Sequence, residues 1–308
     1  MPAALPVAAD ARGAADAPHD APHDARHDAR HDAALADALR REEQLGEWLR
    51  AHAPILVGYS GGVDSAYLAA VAVATLGPER VLGVIGRSAS YPAEQWRAAR
   101  AHADAIGLPV HELDTRELDD PRYAANPHDR CYFCKTELWG RLAPIARARG
   151  MTLVDGTNAD DLADHRPGAR AAADYDVRAP LAALGFTKAA IRVLSARRGL
   201  ATADRPSAPC LASRLPYGTP VTPARLAAVE RAEAALRALG IAGDLRVRHH
   251  GAIARVELPA ASLGHWLEPA RAERLADAVR AAGFARVALD LRGFRSGSLN
   301  VLAGVRAA

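Results

Sequence analysis

The sequence predicts an α/β fold, a doubly wound parallel sheet followed by a smaller C-terminal α+β domain. Up to about residue 220, short apolar segments alternate with amphipathic helical ones, a pattern typical of parallel βαβ units. A turn rich in glycine and serine joins the first apolar segment to the helix after it. Farther along, the alternation gives way to a long helix and a predicted hairpin, which indicates a second domain.

The elements of the first domain follow from apolar periodicity and from chain breakers. Apolar residues at helical spacing begin at Leu35, and Pro54 ends that helix. The elements predicted next are the strand Ile55–Val57, a helix from Ser65 to Leu76, the strand Val81–Ile85, a helix at Ala93–Ile106, the strand Pro109–Leu113, a further helix and the strand Thr152–Val154. We assign residues 35–218 to this domain.

The C-terminal segment, residues 219–308, has a different order of elements. They are the helix Pro223–Leu239, the strands Asp244–His250 and Ala252–Leu258 joined at Gly251, the helix Glu268–Ala282 and the strand Arg286–Asp290. Two helices and a hairpin in this order predict a small α+β domain.

The first 34 residues are of low complexity. His19, His23, His27 and His31 recur every four residues, each followed by Asp. The segment offers almost nothing to bury, so we expect residues 1–34 to form a disordered tail. A weak metal-binding tail is the alternative, because these histidines would share one face of a helix.

Composition limits the classes of function. The formal net charge of +3 over 308 residues is nearly balanced, whereas nucleic-acid binding calls for a basic stripe. No run approaches the roughly 20 apolar residues that cross a bilayer, and no secretory signal pattern is present. We therefore expect a cytoplasmic protein that binds neither nucleic acid nor membrane. Three cysteines in such a chain indicate ligand or redox roles rather than disulfides.

The strongest local signal is residues 60–65, Ser-Gly-Gly-Val-Asp-Ser, between a predicted buried strand and a helix. Gly61 and Gly62 allow the backbone to approach a ligand closely. The helix N-terminus offers N–H groups to an anion, and Ser60 and Ser65 add hydroxyl donors. The Gly-Lys-Ser/Thr ending of the Walker motif is absent. We predict phosphate binding here; the alternative is a tight turn without a ligand.

This turn resembles the pyrophosphate loop of the ATP-pyrophosphatase superfamily, which includes GMP synthetase, NAD synthetase and tRNA thiolases. The resemblance implies that it binds the β,γ-pyrophosphate of ATP while a substrate oxygen attacks the α-phosphate. A carboxylate beside a triphosphate requires a divalent cation between them, so Asp64 implies Mg²⁺.

Gly156, Thr157 and Asn158 follow a predicted strand and therefore lie at the same carboxyl edge of the sheet. They resemble a Gly-Thr-Asn segment of the same superfamily, which implies a part in nucleotide binding. An Asx-rich loop of this kind can also serve only as a helix cap.

The three cysteines allow several interpretations. Cys131 and Cys134 can reach one metal centre, and Cys210 is far away in the sequence. Structural zinc lacks an obvious fourth ligand, and a transient dithiol couple of Cys131 and Cys134 leaves Cys210 unexplained. A cluster held by three thiolates, with one iron left open, accounts for all three residues. Unliganded thiols are the remaining interpretation.

Several motifs together resemble the LarE family of ATP-dependent sulfur transferases, over about residues 35–300. Besides residues 60–65 and 155–161, they are Arg130–Lys135, Arg178–Leu181, Leu184–Lys188, Pro209–Arg214 and Arg246–His250. The resemblance implies a small-molecule nucleotide substrate, a pyridinium dicarboxylate mononucleotide. Its carboxylates would be adenylated and converted to thiocarboxylates in the synthesis of the nickel-pincer cofactor of lactate racemase. It also implies a homo-oligomer assembled through the C-terminal domain.

Two sulfur routes follow from the resemblance. In some members of the family a single cysteine at the position of Cys210 gives up its sulfur and becomes dehydroalanine. Others have three cysteines and are similar to cluster-dependent thiolases. Since this chain has Cys131, Cys134 and Cys210, we favour a 4Fe-4S cluster held by all three. We expect Arg214, close to Cys210 in the sequence, to steady developing negative charge.

Arg246 and Arg248 alternate along a predicted strand and therefore share one face. Two guanidinium groups there suit a phosphate or a carboxylate. The family resemblance implies phosphate-binding arginines at this place, with Glu257 nearby. A solvated basic strand face is the alternative.

Three other functions stay open on the sequence alone. A tRNA thiolase would share the activation step, but the nearly balanced charge argues against RNA binding. An ammonia-using ligase related to NAD or GMP synthetase would have no need for three thiols. A nucleotide-binding sensor would bind ATP without releasing pyrophosphate.

Overall fold

The computed structural model describes residues 22–162, 167–206 and 208–295. The strands are β1 (Ile55–Gly58), β2 (Val81–Arg87), β3 (Val110–Asp114), β4 (Thr152–Val154), β5 (Arg246–His250), β6 (Ile253–Glu257) and β7 (Arg286–Leu289). The helices are α1 (Pro22–His52), α2 (Val63–Leu76), α3 (Ala93–Ala105), α4 (Pro121–Ala124), α5 (Arg130–Ala148), α6 (Pro167–Asp174), α7 (Pro180–Ala183), α8 (Lys188–Arg197), α9 (Pro223–Ala238), α10 (Leu263–Trp266) and α11 (Pro269–Ala281). Of the helices in these ranges, none is both long enough and apolar enough to cross a membrane.

The larger sheet of the described chain has the strand order β3-β2-β1-β4, and every neighbouring pair runs parallel. Ile55 of β1 lies opposite Val81 of β2 on one side and Thr152 of β4 on the other. The predicted parallel α/β sheet is thus confirmed. The strand order reverses between β1 and β4, and ligands of such sheets bind outside the carboxyl ends of the strands at this point.

Helices cover both faces of this sheet because its central strand is apolar on both sides. Ile55 and Val57 pack into a core shared with α1, α2, α3 and α8. Leu56 belongs to the opposite core, together with Trp139 and Leu142 of α5. A central parallel strand is expected to be buried on both faces in this way, so the doubly wound arrangement is also confirmed.

The first helix begins at Pro22 rather than at Leu35, where the sequence predicted its start. Part of the predicted disordered tail, residues 1–34, is therefore helical, while residues 1–21 lie outside the described residues. Leu45 and Leu49, farther along α1, are fully buried. Apolar periodicity marks only the part of a helix that packs, which is why the sequence placed the start too late.

A second sheet has the strand order β5-β6-β7. β5 and β6 pair antiparallel around Gly251, whose φ of 63° is readily adopted by glycine, so the predicted hairpin is confirmed. β7 pairs parallel with β6. The helices α9 and α11 pack on this sheet through fully buried side chains such as Leu236 and Val279.

The core of this C-terminal unit extends across the predicted domain boundary at residue 218. Tyr123 of α4 and Leu211 are buried in it. The backbone N–H of Val221 donates to the carbonyl of Ala124, at 2.8 Å. The unit is therefore packed directly against the segments that carry α4 and Cys210, and the exact place of the boundary stays a prediction.

Replacement of Gly58 by Ala tests the contact between the sheet and α5. A Cβ atom at Gly58 would lie 2.5 Å from the ring of Trp139, which is almost fully buried and cannot move aside. We expect a loss of about 1–3 kcal/mol in the free energy of unfolding, measured by urea denaturation.

Gly264→Ala is the matched control for this change. A Cβ there would meet nothing within 4 Å, and alanine favours helix, so the free energy of unfolding should stay the same or rise slightly. Equal free energies of unfolding for the two variants would show that Trp139 can move to accommodate the added methyl group without loss of stability.

Candidate active site

The glycine turn, residues 60–65, lies at the carboxyl end of β1 and is held by its own serines. The backbone N–H of Ser60 donates to the hydroxyl of Ser65 at 3.3 Å, and that hydroxyl donates to the carbonyl of Gly62 at 3.2 Å. The two serine hydroxyls are 3.1 Å apart. Helix α2 begins at Val63, so its first N–H groups have no partner within the helix and are available to an anion.

Two glycines at this point are required by close packing. Gly61 has a φ of 67°, and a Cβ on it would lie 2.3 Å from the Cβ of Ala99. A Cβ on Gly156, in the loop after β4, would lie 2.8 Å from the backbone nitrogen of Ser65. The loop after β4 therefore packs directly on the N-terminus of α2, and the two predicted nucleotide-binding segments are in contact.

Asp64 lies on the first turn of α2 and forms an ion pair with Lys188 of α8. The side-chain amide of Asn158 donates to the other carboxylate oxygen of Asp64, at 3.4 Å. The backbone N–H of Lys188 is held by the carboxylate of Asp160, at 2.7 Å. The structure thus brings Asp64 and Asn158 together, as the shared sheet edge predicted. It adds Lys188, which belongs to a matching family segment but was not assigned to the site.

The loop that contains Gly156, Thr157 and Asn158 is also held by hydrogen bonds from its own side chains. The side-chain oxygen of Asn158 accepts from the backbone N–H groups of Asp160 and Asp161, at 3.0 and 3.2 Å. The backbone N–H of Thr157 donates to the carboxylate of Asp155, at 3.0 Å. Asn158 therefore shapes its own loop and also reaches Asp64, while its part in nucleotide binding stays a prediction.

The three cysteines converge from two distant segments of the chain. Cys131 and Cys134 lie on the first turns of α5, and Cys210 directly precedes a short 3-10 turn, Leu211–Arg214. Burial, followed by the neighbouring Cys210, raises the pKa of the Cys131 thiol. Burial raises the pKa of Cys134 as well, with further contributions from Glu117 and Cys210. Each thiol thus lies within electrostatic range of the others.

A buried arginine lies beside these thiols. Arg130 precedes Cys131, is only 5% exposed and donates to the carbonyl of Ala212, at 3.0 Å. Burial works to lower its pKa, but Cys210 and Cys131 outweigh that effect and raise it. Arg130 therefore stays positively charged and can stabilise a thiolate. Its role could not be predicted from the sequence, because its contact with Ala212 joins segments that are far apart in the chain.

The donor types at this place, three thiols, are those that hold iron–sulfur clusters. Within residues 22–162, 167–206 and 208–295, however, no group of three or more His, Cys, Asp or Glu side chains is placed to hold a metal ion. The described side chains therefore do not show the predicted cluster, nor a ligand set for Mg²⁺ around Asp64.

Arg214 has more partners than the sequence suggested. Its Nε and one terminal nitrogen donate to the two carboxylate oxygens of Glu233, at 2.9 and 3.0 Å. The other terminal nitrogen donates to the carbonyls of Pro209 and Cys210, at 2.6 and 3.1 Å. Arg214 thereby fixes the backbone on both sides of the Pro209–Cys210 bond. Glu233, on α9, could not be identified from the sequence because nothing local connects it to Cys210.

Arg246 and Arg248 are buried, at 5% and 6% exposure, so they do not form a solvated basic face. Arg248 donates to Glu257 through two nitrogens, at 2.8 and 3.1 Å, and to the carbonyl of Ser213, at 3.1 Å. Burial, together with the nearby charge of Arg214, lowers the pKa of Arg246 to about 10. Three guanidinium groups thus lie together beside the Cys210 turn, each with a carboxylate nearby: Glu233 at Arg214, Glu257 at Arg248 and, 3.8 Å away, Asp244 at Arg246.

Comparison with known proteins gives matches over most of the chain. The chain is 43% identical over 247 residues to an uncharacterized protein of Synechocystis sp., which covers 80% of this chain and 91% of that one. It is 35% identical over 247 residues to the pyridinium-3,5-bisthiocarboxylic acid mononucleotide synthase of Lactiplantibacillus plantarum, covering 80% of this chain and 88% of the relative.

Matches to another class of enzyme, the NAD synthetases, cover a smaller part of the chain. A family model described as NAD synthase matches residues 43–142. The NH(3)-dependent NAD(+) synthetase of Methanosarcina mazei is 39% identical over 74 residues, which is 24% of this chain and 29% of that protein. The match to the family model includes the glycine turn and ends before Cys210.

Replacement of Glu233 by Ala tests the contacts that fix the Cys210 turn. Arg214 would remain buried without its carboxylate partner. The backbone N–H of Val247, which donates to Glu233 at 3.0 Å, would lose its acceptor. We expect a loss of about 3–5 kcal/mol in the free energy of unfolding, measured by urea denaturation.

Glu273→Ala provides the comparison, because Glu273 pairs with Arg280 on the exposed surface of α11. That change should leave the free energy of unfolding nearly unchanged. Similar small losses in both variants would mean that Arg214 finds other partners and does not depend on Glu233.

Proposed function

The chain belongs to the LarE family of ATP-dependent sulfur transferases, and we propose that it converts carboxylates of a pyridinium dicarboxylate mononucleotide to thiocarboxylates. The observation that carries this proposal is the convergence of Cys210 with Cys131 and Cys134 beside a buried cationic cluster. A ligase that uses ammonia would have no need for such a site.

The first step of the proposed reaction is adenylation. An oxygen of the substrate carboxylate attacks the α-phosphorus of ATP, the bond to the bridging oxygen breaks, and pyrophosphate leaves. The glycine turn supports this step through the free N–H groups at the start of α2 and the Ser60 and Ser65 hydroxyls. Lys188, paired with Asp64, is placed to exchange that partner for a phosphate oxygen. Mg²⁺ held by the Asp64 carboxylate would supply the charge that neutralises the triphosphate.

The second step replaces oxygen by sulfur. Adenylation turns the carboxylate oxygen into part of a good leaving group, AMP. A sulfur nucleophile attacks the acyl carbon, the bond from that carbon to the AMP oxygen breaks, and a thiocarboxylate remains. Arg130, buried beside Cys131 and near Cys210, favours the anionic form of a sulfur at this place.

The sulfur in this proposal comes by one of the two routes that family members use. A sacrificial Cys210 would attack through its Sγ and form a thioester with the acyl carbon as AMP leaves. Breakage of the Cβ–Sγ bond, with loss of the Cα proton, would then leave the thiocarboxylate on the substrate and dehydroalanine in the chain. A 4Fe-4S cluster bound through Cys131, Cys134 and Cys210 would supply an open iron that can carry sulfide. We favour the second route because the chain has all three cysteines and Cys210 contributes to the raised pKa of both Cys131 and Cys134.

The substrate is proposed to bind at the buried arginines. Arg246 has its pKa lowered by burial and by Arg214, so an anion beside it would relieve this repulsion. Arg248 is fixed by Glu257 and by the carbonyl of Ser213, which places it next to the Cys210 turn. A phosphate held there would orient the carboxylates of the substrate toward the thiols. Assembly into a homo-oligomer through the C-terminal unit and a cytoplasmic location are parts of the same proposal.

Substitution of the three cysteines, one at a time, tests the proposed function and its route. In Cys210→Ala, substrate-dependent pyrophosphate release should persist while thiocarboxylate formation, followed by mass spectrometry, is lost. On the cluster route Cys131→Ala and Cys134→Ala should lose thiocarboxylate formation as well, and Cys210 should be intact after turnover. On the sacrificial route both variants stay active, and the Cys210 peptide loses hydrogen sulfide.

Other outcomes of the same experiment point to other functions. Full activity of a variant without any cysteine, with ammonia as the second substrate, would favour a ligase of the NAD synthetase type. Tight binding of bulk tRNA at low salt in a gel-shift assay, weakening steeply as salt is added, would favour a tRNA thiolase. ATP binding without pyrophosphate release would indicate a sensor.

Reconstitution with iron and sulfide under anaerobic conditions tests the cluster separately from catalysis. The wild-type chain should gain visible charge-transfer absorption, and each single Cys→Ala change at Cys131, Cys134 or Cys210 should weaken or abolish it. Undiminished absorption in all three variants would remove these residues as ligands.

A further inference from the structure

The loop between β2 and α3, residues 88–92, contacts both halves of the active site. We call this segment the bridging loop. It follows the carboxyl end of β2, next to β1 in the sheet, so it lies beside the glycine turn. Its other side meets α4 and the segment that contains Cys210. None of its residues was predicted to belong to the site.

On the nucleotide side, the contact is made by Tyr91. Its hydroxyl donates to the backbone carbonyl of Ser60, at 2.9 Å. The N–H and hydroxyl of Ser60 are hydrogen-bonded to Ser65. With the bond from Tyr91, the N–H, hydroxyl and carbonyl of Ser60 all have partners. A bound phosphate that shifts this turn must therefore act on Tyr91.

On the sulfur side, the contacts are made by Ser90. Its backbone carbonyl accepts from the N–H of Leu211, the residue after Cys210, at 2.8 Å. Its hydroxyl oxygen lies 2.6 Å from that of Tyr123, and both residues are almost fully buried, at 3% and 1% exposure. Tyr123 itself is close to the thiols. Burial is the main cause of its raised pKa, and the nearby Cys210 is the next.

The bridging loop is braced internally, so its two sides cannot move independently. The backbone N–H of Tyr91 donates to the carbonyl of Ser88, and that of Ser90 donates to the hydroxyl of Ser88, both at 3.1 Å. Immediately after the loop, the N–H of Ala93 donates to the carboxylate of Glu230 on α9, at 2.6 Å. The same short segment is thus tied to the glycine turn, to the Cys210 turn and to the C-terminal unit.

We propose that the bridging loop sets the position of Cys210 relative to the nucleotide, with Tyr91 and Ser90 as positioning residues. Sulfur transfer requires the acyl adenylate and the sulfur to meet within about 3–3.5 Å, and small displacements are costly in rate. Because the loop is hydrogen-bonded to both turns, a nucleotide bound at the glycine turn can shift the position of the Cys210 turn. This assignment rests on the proposed function for its purpose, but the mechanical link is testable without the substrate.

The direct test is the rate at which iodoacetamide alkylates Cys210, followed by mass spectrometry, with and without ATP and Mg²⁺. In the wild-type chain the nucleotide should change this rate by about fivefold or more. In Tyr91→Phe the rate should no longer respond to nucleotide, while ATP is still bound. Tyr175→Phe, which alters a half-buried tyrosine packed near Gly140, should respond like the wild type.

Two results of this test would overturn the proposal. One is a wild-type rate that does not respond to nucleotide. The other is an unchanged response in Tyr91→Phe, since that would mean that bound nucleotide acts on Cys210 by a route outside the loop. Neither result depends on whether the chain transfers sulfur, so failure of the proposed function would be seen separately.

A second variant addresses the sulfur side and separates positioning from folding. Ser90→Ala should keep pyrophosphate release within about twofold of wild type but slow thiocarboxylate formation by about tenfold or more. Ser195→Ala is the matched control, because the Ser195 hydroxyl is buried without a hydrogen-bond partner among the described residues. Equal loss of both half-reactions in Ser90→Ala would reduce Ser90 to a structural residue and contradict its assignment.

Discussion

The close contact between the loop after β4 and the N-terminus of α2 is the constraint on which the rest of the site depends. It requires glycine at position 156, where a Cβ would lie 2.8 Å from the backbone of Ser65. Parallel pairing of β1 with β4 brings these segments together at the point where the strand order reverses. Asn158 can reach Asp64 only because this approach is so close.

The second determinant of the site is a set of buried arginines and their carboxylate partners. Arg214 pairs with Glu233, and Arg248 pairs with Glu257. These pairs hold both arginines in place beside the Cys210 turn. Arg246 has the longer ion pair, 3.8 Å to Asp244, and burial followed by the neighbouring Arg214 lowers its pKa. Charges buried in this way cost stability unless they are paired. The carboxylates of Glu233, Glu257 and Asp244 therefore offset the cost of burying these three arginines.

The sequence predicted the parts of this arrangement that depend on local patterns. Alternating strands and helices indicated the sheet, and the shared carboxyl edge placed Asp64 near Asn158. The contacts of Glu233, Lys188 and Ser90 could not be predicted, since each joins elements far apart in the chain. The early start of α1 was missed for another reason, because its first turns lack the apolar periodicity that marks a packed helix.

The ionisation of Cys131 and Cys134 depends on their burial and on the charges around them. Burial raises the pKa values of Cys131 and Cys134, so near neutral pH both remain protonated and are poor nucleophiles and poor ligands. Arg130 opposes this effect at Cys131 but does not overcome it. Further positive charge beside Cys131 and Cys134, such as a metal ion, would favour their thiolates. The reactivity of these two thiols is therefore coupled to the charge of whatever binds next to them.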